Sequence, residues 1–191
     1  MLGSYIPLLD VLRSLASQAG NPANGHPVSL TVGLTPILLD QLDDDYIREG
    51  FLEWAKSRLK HAKDDRERFR LAGERAREDQ AGAYCESYGR AIQAFNVDYG
   101  RDITGALGEL ERLGVVEIIT SAVTHAYLPL LKEDTSIRGQ LAAGCESHER
   151  RFGRPSRGIW LPECAYRPGL EEYLESLGLS YFFVDRHAIE W

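Results

Sequence analysis

Apolar residues along this chain recur with two periods, one typical of strands and one typical of helices. Continuous or alternating apolar runs, rich in β-branched or aromatic residues, predict four strands at residues 28–34, 115–121, 158–161 and 181–184. Helical spacing and end signals predict helices at residues 5–18, 36–42, 102–113, 134–151 and 169–177. Because buried strands alternate with helices, we predict an α/β protein with a parallel sheet covered on its faces.

Residues that favour helix ends mark several of these boundaries. Thr35 is the expected N-cap of the helix that starts at Pro36. Gly114 is expected to end the helix at residues 102–113. Asp134 or Thr135 is the expected cap of the helix that follows. A short helix is expected after residue 125.

The segment from residue 43 to about residue 100 interrupts this alternation. It is long, highly charged and poor in proline, which predicts two or more helices outside the main sheet. A length of 191 residues suffices for one sizeable core. We therefore predict one domain over residues 1–191, with a helical insertion at about 43–100.

Polar side chains of catalytic type follow three of the predicted strands. His125 follows the second, Glu163 follows the third, and Asp185 and His187 follow the fourth. Because the carboxyl ends of parallel strands meet at one rim, we expect these groups to lie close together.

Glu163 lies within the most distinctive segment, Trp160 to Tyr166, where an apolar strand ends in Pro and a carboxylate. Trp160 and Tyr166 supply aromatic surface of the kind that packs on sugar rings. Tyr166 is expected to be the more exposed of the two, whereas a strand tryptophan is as often core. The alternative for Glu163 is a cap of the next helix or an ion pair with Arg167. Cys164 is expected to be a small buried residue.

Composition narrows the classes of partner. The net charge of −7 argues against nucleic acid or an anionic membrane as the main partner, since both need clustered Lys and Arg. Three widely spaced cysteines without a C-x-x-C pair fit a reducing cytoplasm, where we expect the protein to act. Three further histidines, His26, His61 and His148, have no partners at ligand spacing and are expected at the surface.

Residues 158–166, Gly-Ile-Trp-Leu-Pro-Glu-Cys-Ala-Tyr, resemble the nucleophile motif of glycoside hydrolase family 57, and in particular of its 1,4-α-glucan branching enzyme group. Residues 117–131 resemble a second motif of that group, and residues 181–187 resemble the stretch after the nucleophile motif. Residues 5–9 and 34–39 are also similar to the family, so the resemblance covers nearly the whole chain.

The resemblance implies a distorted, TIM-like (β/α)7 barrel, of which this chain would form part, and a retaining mechanism on α-1,4-glucan. It also implies a fragment, since the family has a His-bearing first strand, an acid/base Asp well downstream of the nucleophile motif, and a helical C-terminal domain. The expected function is 1,4-α-glucan branching in glycogen-type metabolism. The alternatives are another family 57 glucan hydrolase or 4-α-glucanotransferase, or a truncated glucan-binding relative without activity.

The same resemblance assigns Glu163 as the nucleophile and His125 as a substrate-hydroxyl ligand. Tyr166, Trp160, Asp185 and His187 are further candidates for substrate contact. The alternative for His125 is a core or helix-capping histidine, and the alternative for Asp185 is an N-cap. Related metal-dependent deacetylases use closely spaced histidine pairs that this chain lacks. We therefore expect neither a metal nor a cofactor.

Overall fold

The structure, a computed structural model, describes residues 1–19 and 30–186. The chain divides into two compact units, residues 1–17 with 42–106 and residues 18–41 with 107–191. None of the helices among the described residues is long and apolar enough to cross a bilayer. The single-domain assignment with an insertion at about 43–100 stays a prediction.

The described residues of the first unit form helices joined by short turns, with no strand among them. Its principal helices are α1 (Tyr5–Ala19), α3 (Asp45–Leu71) and α4 (Arg75–Gln93), and a π-helical turn follows α4 at Ala94–Asp98. Two further helices, α2 (Pro36–Asp43) and α5 (Ile103–Arg112), run across the division between the units. The two or more helices expected after residue 43 are therefore present as α3 and α4.

Local chemistry explains why α3 and α4 form a hairpin. The Asp44 side chain accepts the backbone N–H of Ile47 at 2.9 Å and so caps the start of α3. Gly73, with a φ of 72°, reverses the chain between the two helices, where a side chain would be strained. Small buried residues, Ala62 on α3 and Ala81 on α4, let the two backbones approach closely.

The second unit contains a four-stranded parallel sheet. Its strands are β1 (Leu30–Gly33), β2 (Val116–Ser121), β3 (Gly158–Trp160) and β4 (Tyr181–Phe182), in the spatial order β1-β2-β3-β4. Helix α6 (Asp134–Phe152) connects β2 to β3, and α7 (Leu170–Ser176) connects β3 to β4. The prediction of an α/β protein with a parallel sheet is confirmed.

The core of this unit packs strand residues against the connecting helices. Ile159 of β3, Leu141 of α6 and Leu170 of α7 are completely buried and belong to one apolar cluster. The register pairs Ser121 with Trp160 and Ile159 with Phe182, so the carboxyl ends of β2, β3 and β4 share one edge. This edge presents the loops in which the candidate residues lie.

Most predicted element boundaries agree with the structure within one or two residues. Thr35 caps α2 by accepting the N–H of Leu38 at 3.3 Å, and Gly114 follows α5 with a φ of 74°. The predicted cap of α6 is wrong, because Glu133 occupies the N-cap position and makes no side-chain capping bond. Strand β4 ends at Phe182, and the ring of the next residue, Phe183, packs on Trp160 at 5.3 Å between centroids. Residues 28 and 29 of the first predicted strand lie outside the described residues.

The expectation for His148 is also wrong. Its side chain on α6 is completely buried, with the ring centroid 4.9 Å from that of Phe152. Leu141 and Gly144, which lie on the same face of α6, are also buried, so the helix face that carries His148 is turned inward. His61 is exposed as expected, and His26 lies outside the described residues.

Candidate active site

Glu163 lies on a tight turn directly after β3. The N–H of Cys164 donates to the Leu161 carbonyl at 2.8 Å, and the N–H of Ala165 donates to the Pro162 carbonyl at 3.1 Å. Leu161, Pro162 and Ala165 are buried, so apolar packing holds both ends of the turn. The Glu163 side chain itself is 70% exposed. The sequence therefore presents a solvent-facing carboxylate on an anchored backbone.

The backbone of this turn is strained. Glu163 has a φ of 58° and Cys164 a φ of 51°, both in the left-handed region that side chains disfavour. Such conformations cost on the order of 1–3 kcal/mol each and persist only where the surroundings enforce them. Strain of this kind concentrates at functional sites, because it aims a side chain that a relaxed turn would point elsewhere.

His125 lies on a second strained turn, after β2. It has a φ of 56°, and its N–H donates to the carbonyl of the buried Ala122 at 3.1 Å. Its Nε2 lies 3.2 Å from Oε1 of Glu163. The tautomer protonated at Nε2 donates to the carboxylate and orients it. The expectation that the strand ends bring these two side chains together is confirmed.

Helix α6 holds the segment that leads to His125. The Thr120 hydroxyl donates to the Gly144 carbonyl at 2.8 Å, and the N–H of Val123 donates to the Gln140 carbonyl at 3.0 Å. The Gln140 side chain accepts the N–H of Thr124 at 3.0 Å and also exchanges hydrogen bonds with the Thr124 hydroxyl. Gly144 and Gln140, one turn apart on α6, therefore hold in place the segment that leads to the His125 turn.

The two aromatic candidates differ in the opposite sense to the prediction. Trp160 is 41% exposed, whereas Tyr166 is half-buried, stacked on Phe182 at 5.6 Å and bonded through its hydroxyl to Glu171 at 2.9 Å. The expectation that Tyr166 is the more exposed ring is wrong. The Tyr166 hydroxyl bonds to Glu171 on the following helix, and the ring packs against the apolar core.

Trp160 lines an open hollow of about 460 Å³ on the face of the sheet. Ile119 and Ser121 of β2 and Phe183 lie in the same lining. The Ser121 hydroxyl donates to the Trp160 carbonyl at 2.9 Å, which ties the tryptophan to the neighbouring strand. An aromatic face of this kind, fixed beside the Glu163 turn in the sequence, is suited to contact an apolar face of a sugar ring.

Asp185 is exposed and follows β4. Partial burial raises the pKa of the Cys164 thiol, and the negative charges of Asp185 and Glu163 raise it further. The Asp185 charge therefore acts on the turn that carries Glu163 and Cys164. Cys164 is half-buried, so its expected full burial is wrong, and its thiol stays protonated at neutral pH. His187 lies outside the described residues.

Within the described part of the chain, no three His, Cys, Asp or Glu side chains are grouped so as to hold a metal ion. The absence of a metal and of a cofactor stays a prediction. The sequence analysis did not identify Gln140 and Phe183 as residues of the candidate site. Gln140 carries no motif of its own, and the only available signal was its place on the helix that follows the His125 loop.

Comparison with known proteins agrees with this geometry. The model of glycosyl hydrolase family 57 matches residues 5–189. A 1,4-alpha-glucan branching enzyme of Thermococcus kodakarensis is 37% identical over 98% of this chain, which covers 28% of that protein. The crystal structure of a GH57-type branching enzyme from Pyrococcus horikoshii matches with a TM-score of 0.82 at 37% identity, covering 97% of this chain and 36% of that one.

A third similar structure is the alpha-amylase AmyC from Thermotoga maritima, with a TM-score of 0.81 at 26% identity, covering 97% of this chain and 36% of that one. The parallel sheet in chain order, with a carboxylate and a histidine at one rim, and these structural matches together identify an α/β fold of the glycoside-hydrolase class. The chain belongs to glycosyl hydrolase family 57. It spans only about a third of the length of the relatives it matches.

Proposed function

We propose that this chain carries the nucleophile half of a retaining active site that cleaves α-1,4-glucan and transfers it to a glucan 6-hydroxyl, forming α-1,6 branches. The observation that carries the proposal is the 3.2 Å contact between His125 and Glu163 on two strained turns at one rim. The resemblance of the surrounding residues to family 57, and the branching enzymes among the similar proteins, support the choice of reaction.

In this mechanism a Glu163 oxygen attacks the anomeric carbon of the donor glucan. The bond from that carbon to the leaving glucan oxygen breaks, a general acid protonates the oxygen, and a covalent glycosyl ester forms. An acceptor 6-hydroxyl then attacks the same carbon while the acid, now a base, removes its proton. The carboxylate leaves as the α-1,6 bond forms. We assign the general-acid role to no described residue.

The surrounding residues take supporting roles in the proposal. His125 orients the carboxylate through its Nε2–H and offers its unprotonated Nδ1 as an acceptor to a substrate hydroxyl beside the cleaved bond. Trp160 supplies an exposed ring face for a glucosyl unit, and Asp185 and His187 are proposed as hydroxyl ligands at the next strand end. Tyr166 is proposed to hold the loop after Glu163 in place, through its contacts with Glu171 and Phe182. We also propose a cytoplasmic location, which the three free cysteines support.

The test replaces Glu163 by Gln in the protein as its gene encodes it. Glutamine keeps a hydrogen-bond acceptor for His125 but cannot form the glycosyl ester. Transfer should fall by about 10³-fold or more, with an unchanged melting temperature. Glu172, an exposed carboxylate on α7, provides the matched control, since Glu172→Gln removes the same charge away from the site. The readouts are the iodine spectrum of amylose and the α-1,6 anomeric signal by NMR. Retained transfer in Glu163→Gln contradicts the proposal.

A second candidate is hydrolysis or disproportionation of α-glucan, which the similarity to an alpha-amylase favours. With the unmodified protein, new reducing ends without new α-1,6 signals would decide for hydrolysis. A changed distribution of chain lengths, with neither new reducing ends nor new α-1,6 signals, would decide for disproportionation. A third candidate is glucan binding without activity, which predicts an unchanged iodine spectrum at every protein concentration.

A further inference from the structure

The α3–α4 hairpin carries an open groove of about 360 Å³, formed by residues of the first unit alone. We call it the hairpin groove. Its walls include Arg58, His61 and Phe69 of α3 and Gln80, Tyr84 and Tyr88 of α4. None of these residues belongs to the site around Glu163. We propose that the hairpin groove is a second binding site for an α-glucan chain, remote in sequence from the catalytic residues.

The first support is an aromatic surface that solvent reaches. Tyr84 is 53% exposed, and its ring is stacked on Tyr88 at 6.1 Å with an interplanar angle of 22°. Trp54, itself 42% exposed, packs its edge against Tyr88 at 5.8 Å. Large rings held by one another and still exposed cost little further entropy when a ligand stacks on them. The apolar face of a sugar ring fits such a surface.

The second support is the set of polar groups that line the groove together with the rings. Arg58, His61 and Gln80 are exposed and bring planar donor and acceptor groups to the same groove. The Arg58 guanidinium also lies over the Trp54 ring at 5.9 Å, which holds it beside the aromatic surface. Sugar hydroxyls bond to planar groups of this kind while the ring stacks. The mixture of aromatic faces and planar polar groups therefore favours a saccharide.

The dimensions of the groove agree with an oligosaccharide. From Tyr88 to Arg77, which also lines the groove, α4 advances roughly 16 Å at 1.5 Å per residue, enough for a few glucosyl rings. A volume of about 360 Å³ is small for a folded partner, and the floor consists of the side chains of Ala62 and Ala81. These small side chains keep the groove open between the two helices.

The choice of α-glucan as the saccharide rests on the proposed function. A polymeric substrate can occupy the groove with one segment while another segment reacts, which raises the local concentration of chain ends at the active site. The groove should therefore matter for long glucans and not for short ones.

The experiment measures binding to glycogen by affinity electrophoresis of the gene-encoded protein, in a Glu163→Gln background so that the polymer is not altered. Tyr84→Ala removes the exposed ring, and we expect glycogen binding to weaken about three- to tenfold. Tyr84→Phe keeps the ring and should bind nearly as the parent does. Tyr46→Ala is the matched control, because Tyr46 is an 84% exposed tyrosine of α3 outside the groove.

The proposal would be overturned if Tyr84→Ala and Tyr46→Ala bound glycogen equally well, or if glycogen did not retard the parent protein. A changed sedimentation coefficient of Tyr84→Ala with unchanged glycogen binding would also overturn it, since the groove would then be a self-association face. Transfer activity is assayed separately with active protein, on amylose and on maltohexaose. If no transfer occurs but only Tyr84→Ala loses retardation, the proposed function fails while the groove stands.

Discussion

His148 makes the stability of the second unit depend on pH. The ring is completely buried on α6, and neither nitrogen has a hydrogen-bond partner among the described residues. Burial lowers the pKa of His148 to about 4, while the nearby Glu111 carboxylate opposes the shift and the Arg154 guanidinium adds to it. The imidazole is therefore neutral in the folded protein at every pH above about 4.

The direction and size of the effect follow from this lowered pKa. Between pH 6.5 and about 4 the unfolded chain binds a proton at His148 that the folded chain does not. Stability is therefore present above pH 6.5 and is lost as the pH falls through this window. At 1.36 kcal/mol per pKa unit the full loss is about 3 kcal/mol, of which about 2 kcal/mol is reached at pH 5.

The assay is urea unfolding at pH 7.5, 6.5, 5.5 and 5.0, for the parent protein and for His148→Leu. Leucine has a similar volume and no charge, so this variant keeps the packing and removes the proton linkage. The parent should lose about 2 kcal/mol more than the variant between pH 7.5 and 5.0. The carboxylates of the protein titrate equally in both proteins and cancel in the comparison. Parallel stability curves for the two proteins would refute the reasoning.

Two further predictions concern α6. Gln140→Leu removes the acceptor for Thr124 and should lower kcat/KM on amylose roughly tenfold, the effect of one or two hydrogen bonds. Gln140→Glu keeps the acceptor oxygens and should retain most activity, so an equal loss in both variants would contradict a positioning role. Gly144→Ala should destabilise the protein by about 2 kcal/mol, because its Cβ would lie 2.2 Å from the Ser121 carbonyl oxygen. Gly139→Ala on the same helix meets nothing within 4 Å and should stabilise by about 0.5–1 kcal/mol, and thermal melts that rank the two alike would contradict this packing.

The sequence predicted the rim of the site because strand ends can be read from apolar runs. Parallel strands then require that His125 and Glu163 follow neighbouring ends, as the structure has them. The strained turns were not predictable, since neither position holds the Gly or Asn that marks a positive φ. The relative exposure of Trp160 and Tyr166 depends on hydroxyl and ring partners in distant elements. His148 was expected at the surface because histidine is a polar residue. Its burial depends on the helix face that carries it, which is turned towards the core.

Strands β1 and β2 are neighbours in the sheet, yet α2 to α5 lie between them in the sequence. Loop-closure entropy grows only by about 0.6 kcal/mol for each doubling of loop length, so this long connection costs little stability. The long connection between β1 and β2 instead affects the rate and order of folding. The α3–α4 hairpin forms from contacts near in sequence, and β2, β3 and β4 each follow one another after a single helix. We expect β1 to join last, and a chain caught before that step exposes the edge of β2 to other molecules.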